Sequence, residues 1–167
     1  MGMPLGFHLI FKFGNKMKYF TLHELTASPT AKRRGINNNP DGAVRANLTA
    51  LVSNILDPLR EMWGAPIIVT SGYRCGALNR AVGGASKSQH VTGCAADIRT
   101  VSDTLTDNKK LFDTLIKSGL PFDQLIWEYG DDRGPDWIHV SYVPGGRREV
   151  LRASTGKDGK TIYTHIK

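Results

Sequence analysis

The stretch Ser88-Gln-His-Val-Thr-Gly-Cys-Ala-Ala-Asp97 decides the fold together with Trp137-Ile-His-Val-Ser-Tyr142, because folding must bring the two segments together. They contain two histidines and one carboxylate: His90, His139 and Asp97. A catalytic zinc ion takes three protein ligands of these types and keeps a fourth position for water. The small residues before Asp97 leave room for a metal ion and for a buried strand. The sequence therefore predicts that His90, Asp97 and His139 bind one zinc ion per chain.

Two acidic residues near the second segment are candidates for the general base that takes a proton from a metal-bound water. Asp136 lies three residues before His139, where an irregularity at the start of the strand can bring its carboxylate over the metal. Glu128 is the rival, because its strand is expected to pair with the strand of His139. We predict that Asp136 is the base, and the alternative for Asp136 is a turn residue that follows Pro135.

The segment Ser71-Gly-Tyr-Arg74 follows a predicted buried strand and begins a turn. A guanidinium at this place can hold a substrate carbonyl or carboxylate and stabilise a developing oxyanion. We therefore predict that Arg74 is both a catalytic and a substrate-binding residue, with a structural ion pair as the alternative. Ser88, Gln89 and Tyr73 are also predicted to contribute to substrate binding.

These motifs together resemble the zinc D-alanyl-D-alanine carboxypeptidases and their relatives. Three motifs carry the resemblance, in order within residues 19–142: Ser71-Gly-Tyr-Arg74, His90-x6-Asp97 and Asp136-x2-His139. The relatives include the L-alanyl-D-glutamate endopeptidases of bacteriophage lysins, the VanX-type dipeptidases and the hedgehog signalling domain. The resemblance implies a zinc peptidase that cleaves bacterial cell-wall stem peptides through a metal-activated water. It leaves open which bond is cut, and a zinc-retaining binding module without turnover is the alternative.

The pattern of helices and strands predicts an α+β fold. Helices precede a strand-rich second half without regular βαβ alternation, which favours a small, mainly antiparallel sheet that carries the zinc site and is flanked by helices. Thr21 and Glu24 form a capping-box signature, and Pro58 is expected to kink or divide a long helix. Thr106 is expected to cap another helix. Strands are predicted over residues 67–70, 95–99, 122–129 and 137–143, the last two as a hairpin.

The length of 167 residues fits one domain with a sizeable core. We assign residues 17–143 to the zinc peptidase domain. Residues 1–16 are interpreted as an N-terminal extension, because Met17 is a plausible alternative start. Residues 144–167 form either a basic tail or added strands.

The net charge of +7 is concentrated at the two ends of the chain, whereas the middle carries a slight negative charge. A nucleic-acid-binding protein would be expected to concentrate basic residues along a folded reading element. We therefore predict that nucleic acid is not a partner, whereas the resemblance implies stem peptides as partners. The basic ends are either solvated termini or attract an anionic cell-wall polymer. No apolar run approaches the ~20 residues that span a bilayer, so membrane insertion is not expected, and we expect a monomer.

The mildly apolar segment Leu5–Phe13 is interrupted by charge and lacks a small-residue cleavage site, so no signal peptide is expected. The protein would then be made in the cytoplasm and act on the cell wall, as a holin-released phage or prophage lysin does. Cys75 and Cys94 have no CxxC partner, which argues against a structural zinc site. We expect them to be small buried fillers, with a disulfide as the alternative.

Overall fold

The chain is mainly helical in its first half and mainly strands in its second half. A computed structural model describes residues 16–166, so nearly all of the N-terminal extension expected over residues 1–16 lies outside the described residues. The helices are α1 Leu22–Thr26, α2 Pro29–Arg34, α3 Gly42–Leu51, α4 Asp57–Trp63, α5 Gly76–Ala81 and α6 Leu105–Lys117, with a π-helical segment Val52–Leu56 and a 3-10 turn Gln89–Thr92. The strands are β1 Ile67–Ser71, β2 Ala95–Thr100, β3 Gln124–Glu128, β4 Trp137–Ser141, β5 Glu149–Thr155 and β6 Thr161–His165.

The six strands form one sheet in the order β1-β2-β4-β3-β5-β6. Neighbouring strands are antiparallel except for β3 and β5, which run parallel. This confirms the predicted α+β fold with a mainly antiparallel sheet and flanking helices. β5 and β6 lie in the segment 144–167, for which a basic tail and added strands were the two alternatives.

Local hydrogen bonds explain where the first helices begin and how they continue. Thr21 and Glu24 form the capping box of α1, each side chain bonding to the other residue's backbone N–H. Before Pro58 the chain does not break but widens into the π-helical segment between α3 and α4. A proline cannot donate to the carbonyl four residues earlier, and a wider turn accommodates that missing bond. Leu48 and Leu59 on this long helix are fully buried.

Helix α6 begins two residues earlier than the sequence predicted. Its N-cap is Thr104 and not Thr106, because the Thr104 hydroxyl accepts a hydrogen bond from the backbone N–H of Asp107. Thr104 also has the extended backbone that an N-cap requires. The buried side chain of Asn108 accepts from the N–H of Thr100 and donates to the carbonyl of Asp136. This amide therefore joins α6 to β2 and to the segment before β4.

Alternation along the strands gives the sheet two different faces. Ile98, Ile138 and Val140 are fully buried on one face, where they pack against the helices in the main hydrophobic core. The opposite face carries the polar residues Asp97 and His139, together with a small second apolar cluster on β3 and β5. We call these the core face and the cleft face. The candidate site lies on the cleft face.

Candidate metal centre

Two of the three predicted ligands are neighbours across a strand pair. Asp97 on β2 is the direct partner of His139 on β4, so both side chains project from the cleft face. His90 comes from the 3-10 turn before β2. The turn ends at Gly93, whose φ of +74° is unfavourable for other residues and whose Cα lies against Val44 of α3. Glycine at this position therefore lets the turn pack closely enough to bring His90 beside Asp97.

The three ligand atoms form a nearly equilateral triangle. His90 Nε2 lies 3.1 Å from His139 Nδ1 and 3.2 Å from Asp97 Oδ1, and His139 Nδ1 lies 3.1 Å from the same oxygen. Ligands at the zinc–nitrogen and zinc–oxygen distances of a tetrahedral site are about 3.3 Å apart. The side chains of all three residues are almost entirely buried. Their donor set and spacing therefore fit a zinc ion with one position left for water.

The tautomer of His90 is determined by a backbone carbonyl. Its Nδ1 lies 2.6 Å from the carbonyl oxygen of Gly72, to which it donates, so the lone pair of Nε2 faces the other two ligands. A side chain at Gly72 would collide with the backbone of Leu25, so only glycine permits this approach. Sequence reasoning assigned no role to Gly72, although its position in the Ser71–Arg74 motif was the available signal.

Asp97 is held in the ionised form that a metal ligand requires. Burial favours the neutral carboxyl, but His90 and His139, when their rings are protonated, outweigh it through their charge and hydrogen bonds. They hold the pKa of Asp97 well below its usual range. The site thus presents one carboxylate and two imidazoles, the donor set that the sequence predicted.

A cavity of about 460 Å³ opens beside the three ligands. Its wall includes Arg74, Ser88, Gln89, Glu128, Trp137 and Tyr163. The cavity is large enough for several residues of an extended peptide, and cation, carboxylate, amide and aromatic groups all face it.

Three of the four predicted substrate-binding residues lie at this cavity. Arg74 is mostly buried and donates hydrogen bonds to the hydroxyls of Ser71 and Ser88, while its Nη1 lies 3.6 Å from Asp97 Oδ2. Its Nε is buried without a hydrogen-bond partner in the described part of the chain. Gln89 donates to the buried carboxylate of Asp123 at 2.9 Å. Tyr73 instead packs against the hydrophobic core and does not line the cavity.

The two candidate bases lie in different places. Asp136 is exposed and borders a neighbouring depression with Asp131 and Arg152, and its backbone N–H donates to the carbonyl of Glu128. Glu128 lies directly opposite Trp137 on the paired strand and faces the metal cavity. Glu128 therefore lines the same cavity as the three ligands, and Asp136 lines the depression beside it.

The surroundings of the Glu128 carboxyl raise its pKa. Burial raises the pKa of Glu128 to about 7, and the negative charge of Asp97 adds to the rise. The positive charges of His139 and Arg74 oppose it. A general base is most effective when its pKa lies near the working pH.

The two cysteines take no part in this centre. Cys75 and Cys94 are free thiols, and both are partly exposed rather than buried fillers as expected. The Sγ of Cys75 accepts from the N–H of Leu78 and so caps α5, which gives this residue a local structural role. Within residues 16–166, none of the helices has the length and apolar character needed to cross a bilayer.

Comparison with known families gives a match over most of the chain. The profile of the peptidase M15 family matches residues 18–141, which include all three ligands, Arg74 and Glu128. Peptidases of this family depend on zinc, in agreement with the triangle of donor atoms. The comparison with curated proteins gave no match.

Proposed function

Since this chain belongs to the peptidase M15 family, we propose that it is a zinc peptidase that hydrolyses the stem peptides of bacterial peptidoglycan. The observation that carries the proposal is the triangle of His90, Asp97 and His139 at the wall of a cavity that also contains a buried carboxyl and a guanidinium. A metal site meant only for structure is closed by four protein ligands, whereas three ligands beside a cavity suit catalysis.

His90, Asp97 and His139 are the residues that hold the zinc ion. When bound, zinc supplies a Lewis acid that lowers the pKa of a water molecule and polarises a peptide carbonyl. The Gly72 carbonyl keeps His90 in the tautomer that this binding requires. The charge of Asp97 persists on burial because both histidines stabilise it.

Glu128 is proposed as the general base in place of Asp136. It faces the cavity beside His139, where its carboxylate can accept a proton from the attacking water. The same carboxyl then donates that proton to the amine nitrogen of the leaving peptide fragment, so it finishes the cycle ionised. A zinc-retaining binding module would gain nothing from such a buried carboxyl, whose desolvation costs stability.

Arg74 is proposed to hold the carbonyl oxygen of the cleaved bond or a nearby substrate carboxylate. Ser71 and Ser88 orient its guanidinium from two sides. The buried Nε–H makes no hydrogen bond within the described residues and can donate one to the substrate. A guanidinium that is fixed before the reaction stabilises the charge that develops on the oxygen. Ser88 and Gln89 are proposed to contact the substrate, and Tyr73 to support Arg74 from the core side.

The proposed place of action is the cell wall, reached from the cytoplasm by a lysin-type release. The basic segment after residue 143 supports an encounter with an anionic wall polymer, because opposite charge increases the rate of encounter. The two bonds to be distinguished are a terminal D-Ala–D-Ala bond and an internal L-Ala–D-Glu bond.

The experiment is incubation of the zinc-loaded protein with defined muropeptides, with products identified by mass. We expect cleavage by the wild type and by Asp136→Asn, and a loss of turnover of at least ~100-fold in Glu128→Gln. All three proteins should contain equal amounts of zinc. Normal turnover of Glu128→Gln with an inactive Asp136→Asn would return the role of base to Asp136. Peptide binding without any cleavage by the wild type would favour the binding module.

A further inference from the structure

The hairpin of β5 and β6 lies beyond residues 18–141, the part that matches the family, yet it borders the metal cavity. Strand β5 pairs in parallel with β3, and β6 is the last strand of the sheet. Thr161 and Tyr163 of β6 form part of the cavity wall. This side of the cavity is thus built by a segment that the family match does not include.

The hairpin is fixed to the site by specific contacts. The Tyr129 hydroxyl and the Thr161 hydroxyl are 2.7 Å apart, and the Tyr129 backbone N–H donates to the carbonyl of Ala153 at 3.1 Å. Tyr129 directly follows Glu128 in the chain. The position of β6 relative to the proposed base is therefore set by bonds on both strands of the hairpin.

Strand register places Tyr163 in the same row as Glu128. Glu128 is the partner of Ala153, and Ala153 is the partner of Tyr163, so the three residues follow one another across three strands on the cleft face. Ala153 is fully buried, and its methyl group leaves space above it. A long side chain at position 163 can extend over this space towards the cavity.

Tyr163 lines the same cavity as the acidic residues Glu128 and Asp97. Partial burial raises the pKa of Tyr163, and the negative charges of Glu128 and Asp97 raise it further. Its hydroxyl therefore keeps its proton and is a hydrogen-bond donor at neutral pH. Within residues 16–166, no hydrogen bond of this hydroxyl is found, and about half of the residue's surface is exposed. A donor of this kind is available to a ligand.

We propose that Tyr163 and Thr161 form a substrate subsite, in which the Tyr163 hydroxyl donates a hydrogen bond to a carbonyl or carboxylate oxygen of the peptide in the cavity. This subsite rests on the proposed function, since its ligand is the same stem peptide. It assigns to the C-terminal hairpin the positioning of the part of the substrate that lies across Glu128 from Arg74.

The test measures peptide binding and turnover separately. Binding of a stem tetrapeptide or pentapeptide is measured by calorimetry on zinc-loaded Glu128→Gln, with and without Tyr163→Phe. Loss of a hydrogen bond to a peptide oxygen should weaken binding about tenfold. In the Glu128-containing protein, Tyr163→Phe should raise KM by a similar factor. Thr164→Val is the matched control, because it removes a hydroxyl from the opposite face of the same strand.

The outcomes separate the subsite from the proposed function. Cleavage by the wild type, with equal affinity and equal KM for Tyr163→Phe, overturns the subsite and leaves the function intact. Absence of cleavage, with weaker binding caused only by Tyr163→Phe, supports the subsite and overturns the function. Absence of peptide binding overturns both. Melting temperature and zinc content of Tyr163→Phe should equal those of the wild type, and a decrease in either with unchanged KM assigns the residue a structural role instead.

Discussion

The core face and the cleft face of the sheet are built from the same strands, yet they bury opposite kinds of residue. On β4, Ile138 lies against the helices with no exposed surface, and the adjacent His139 is almost as buried on the other side. The apolar residue gains free energy from burial, whereas the imidazole must recover the cost of burial from partners. The core face therefore stabilises the fold, whereas the buried polar residues of the cleft face lower its stability and form the reactive site.

The cleft face also holds two carboxyls with opposite behaviour. Asp97 has a lowered pKa because two histidines surround it, and Glu128 has a raised pKa because burial dominates. A pair of acids separated in this way commonly divides the work of a site, one remaining charged and the other exchanging a proton. The predictions below test this division between the faces and between the two acids.

The largest effect is expected from removal of a metal ligand on the cleft face. His90→Ala and His139→Ala should each lose most of the zinc, because two remaining ligands hold the ion weakly. Turnover should fall by more than about a thousandfold, and elemental analysis of the purified proteins measures the metal. His23→Ala, on the surface helix α1, is the control and should keep about one zinc per chain. Full zinc content in both ligand variants would exclude this site.

The parts of the site that local sequence patterns determine could be predicted from the sequence. The residue types and spacing of His90, Asp97 and His139 indicated one centre, and the structure places their donor atoms together. The capping box at Thr21 was also found, since all of its bonds lie within four residues. The N-cap of α6 was predicted at Thr106 and lies at Thr104, whose extended backbone conformation the sequence does not show.

Features that depend on strand pairing were harder to predict from the sequence. The register between β3 and β4, which puts Glu128 opposite Trp137 and at the cavity wall, could not be predicted from the sequence. The place of Tyr163 depends on a parallel pairing between β3 and β5, which no local pattern indicates. The role of Gly72 depends on contact with α1. Each of these is a nonlocal relationship that only folding establishes.

A moderate effect is expected when a substitution creates an empty space among the residues of the core face. Ile138→Ala should lower the free energy of unfolding by about 3 kcal/mol, because the lost methyl groups leave a space among fully buried neighbours. Denaturant unfolding measures this difference. Ile162→Ala, on the exposed strand β6, makes the same chemical change and should cost less than about 0.5 kcal/mol. Equal losses in the two variants would contradict the division between the core face and the rest of the sheet.

The smallest effect is an increase in stability when the proposed base is removed. Below pH 4.5, Glu128 is protonated in both the folded and the unfolded chain, so its ionisation does not affect unfolding. Between pH 4.5 and about 7 the unfolded chain loses this proton first, because the pKa of Glu128 is raised to about 7 in the folded protein. The free energy of unfolding therefore decreases as the pH rises through this interval, and the full cost remains above it.

Glutamine has no charge to bury, so Glu128→Gln should remove that cost. In zinc-free protein, we expect the variant to be more stable than the wild type at pH 8, on the order of 2 kcal/mol, and close to it at pH 4.5. Urea unfolding at the two pH values measures the difference. Glu149→Gln, a carboxyl on β5 outside the metal cavity, is the control and should show no such gain. If Glu128→Gln gave the same difference at both pH values, the ionisation of Glu128 would not be the cause, and the cleft face would not lower stability through this carboxyl.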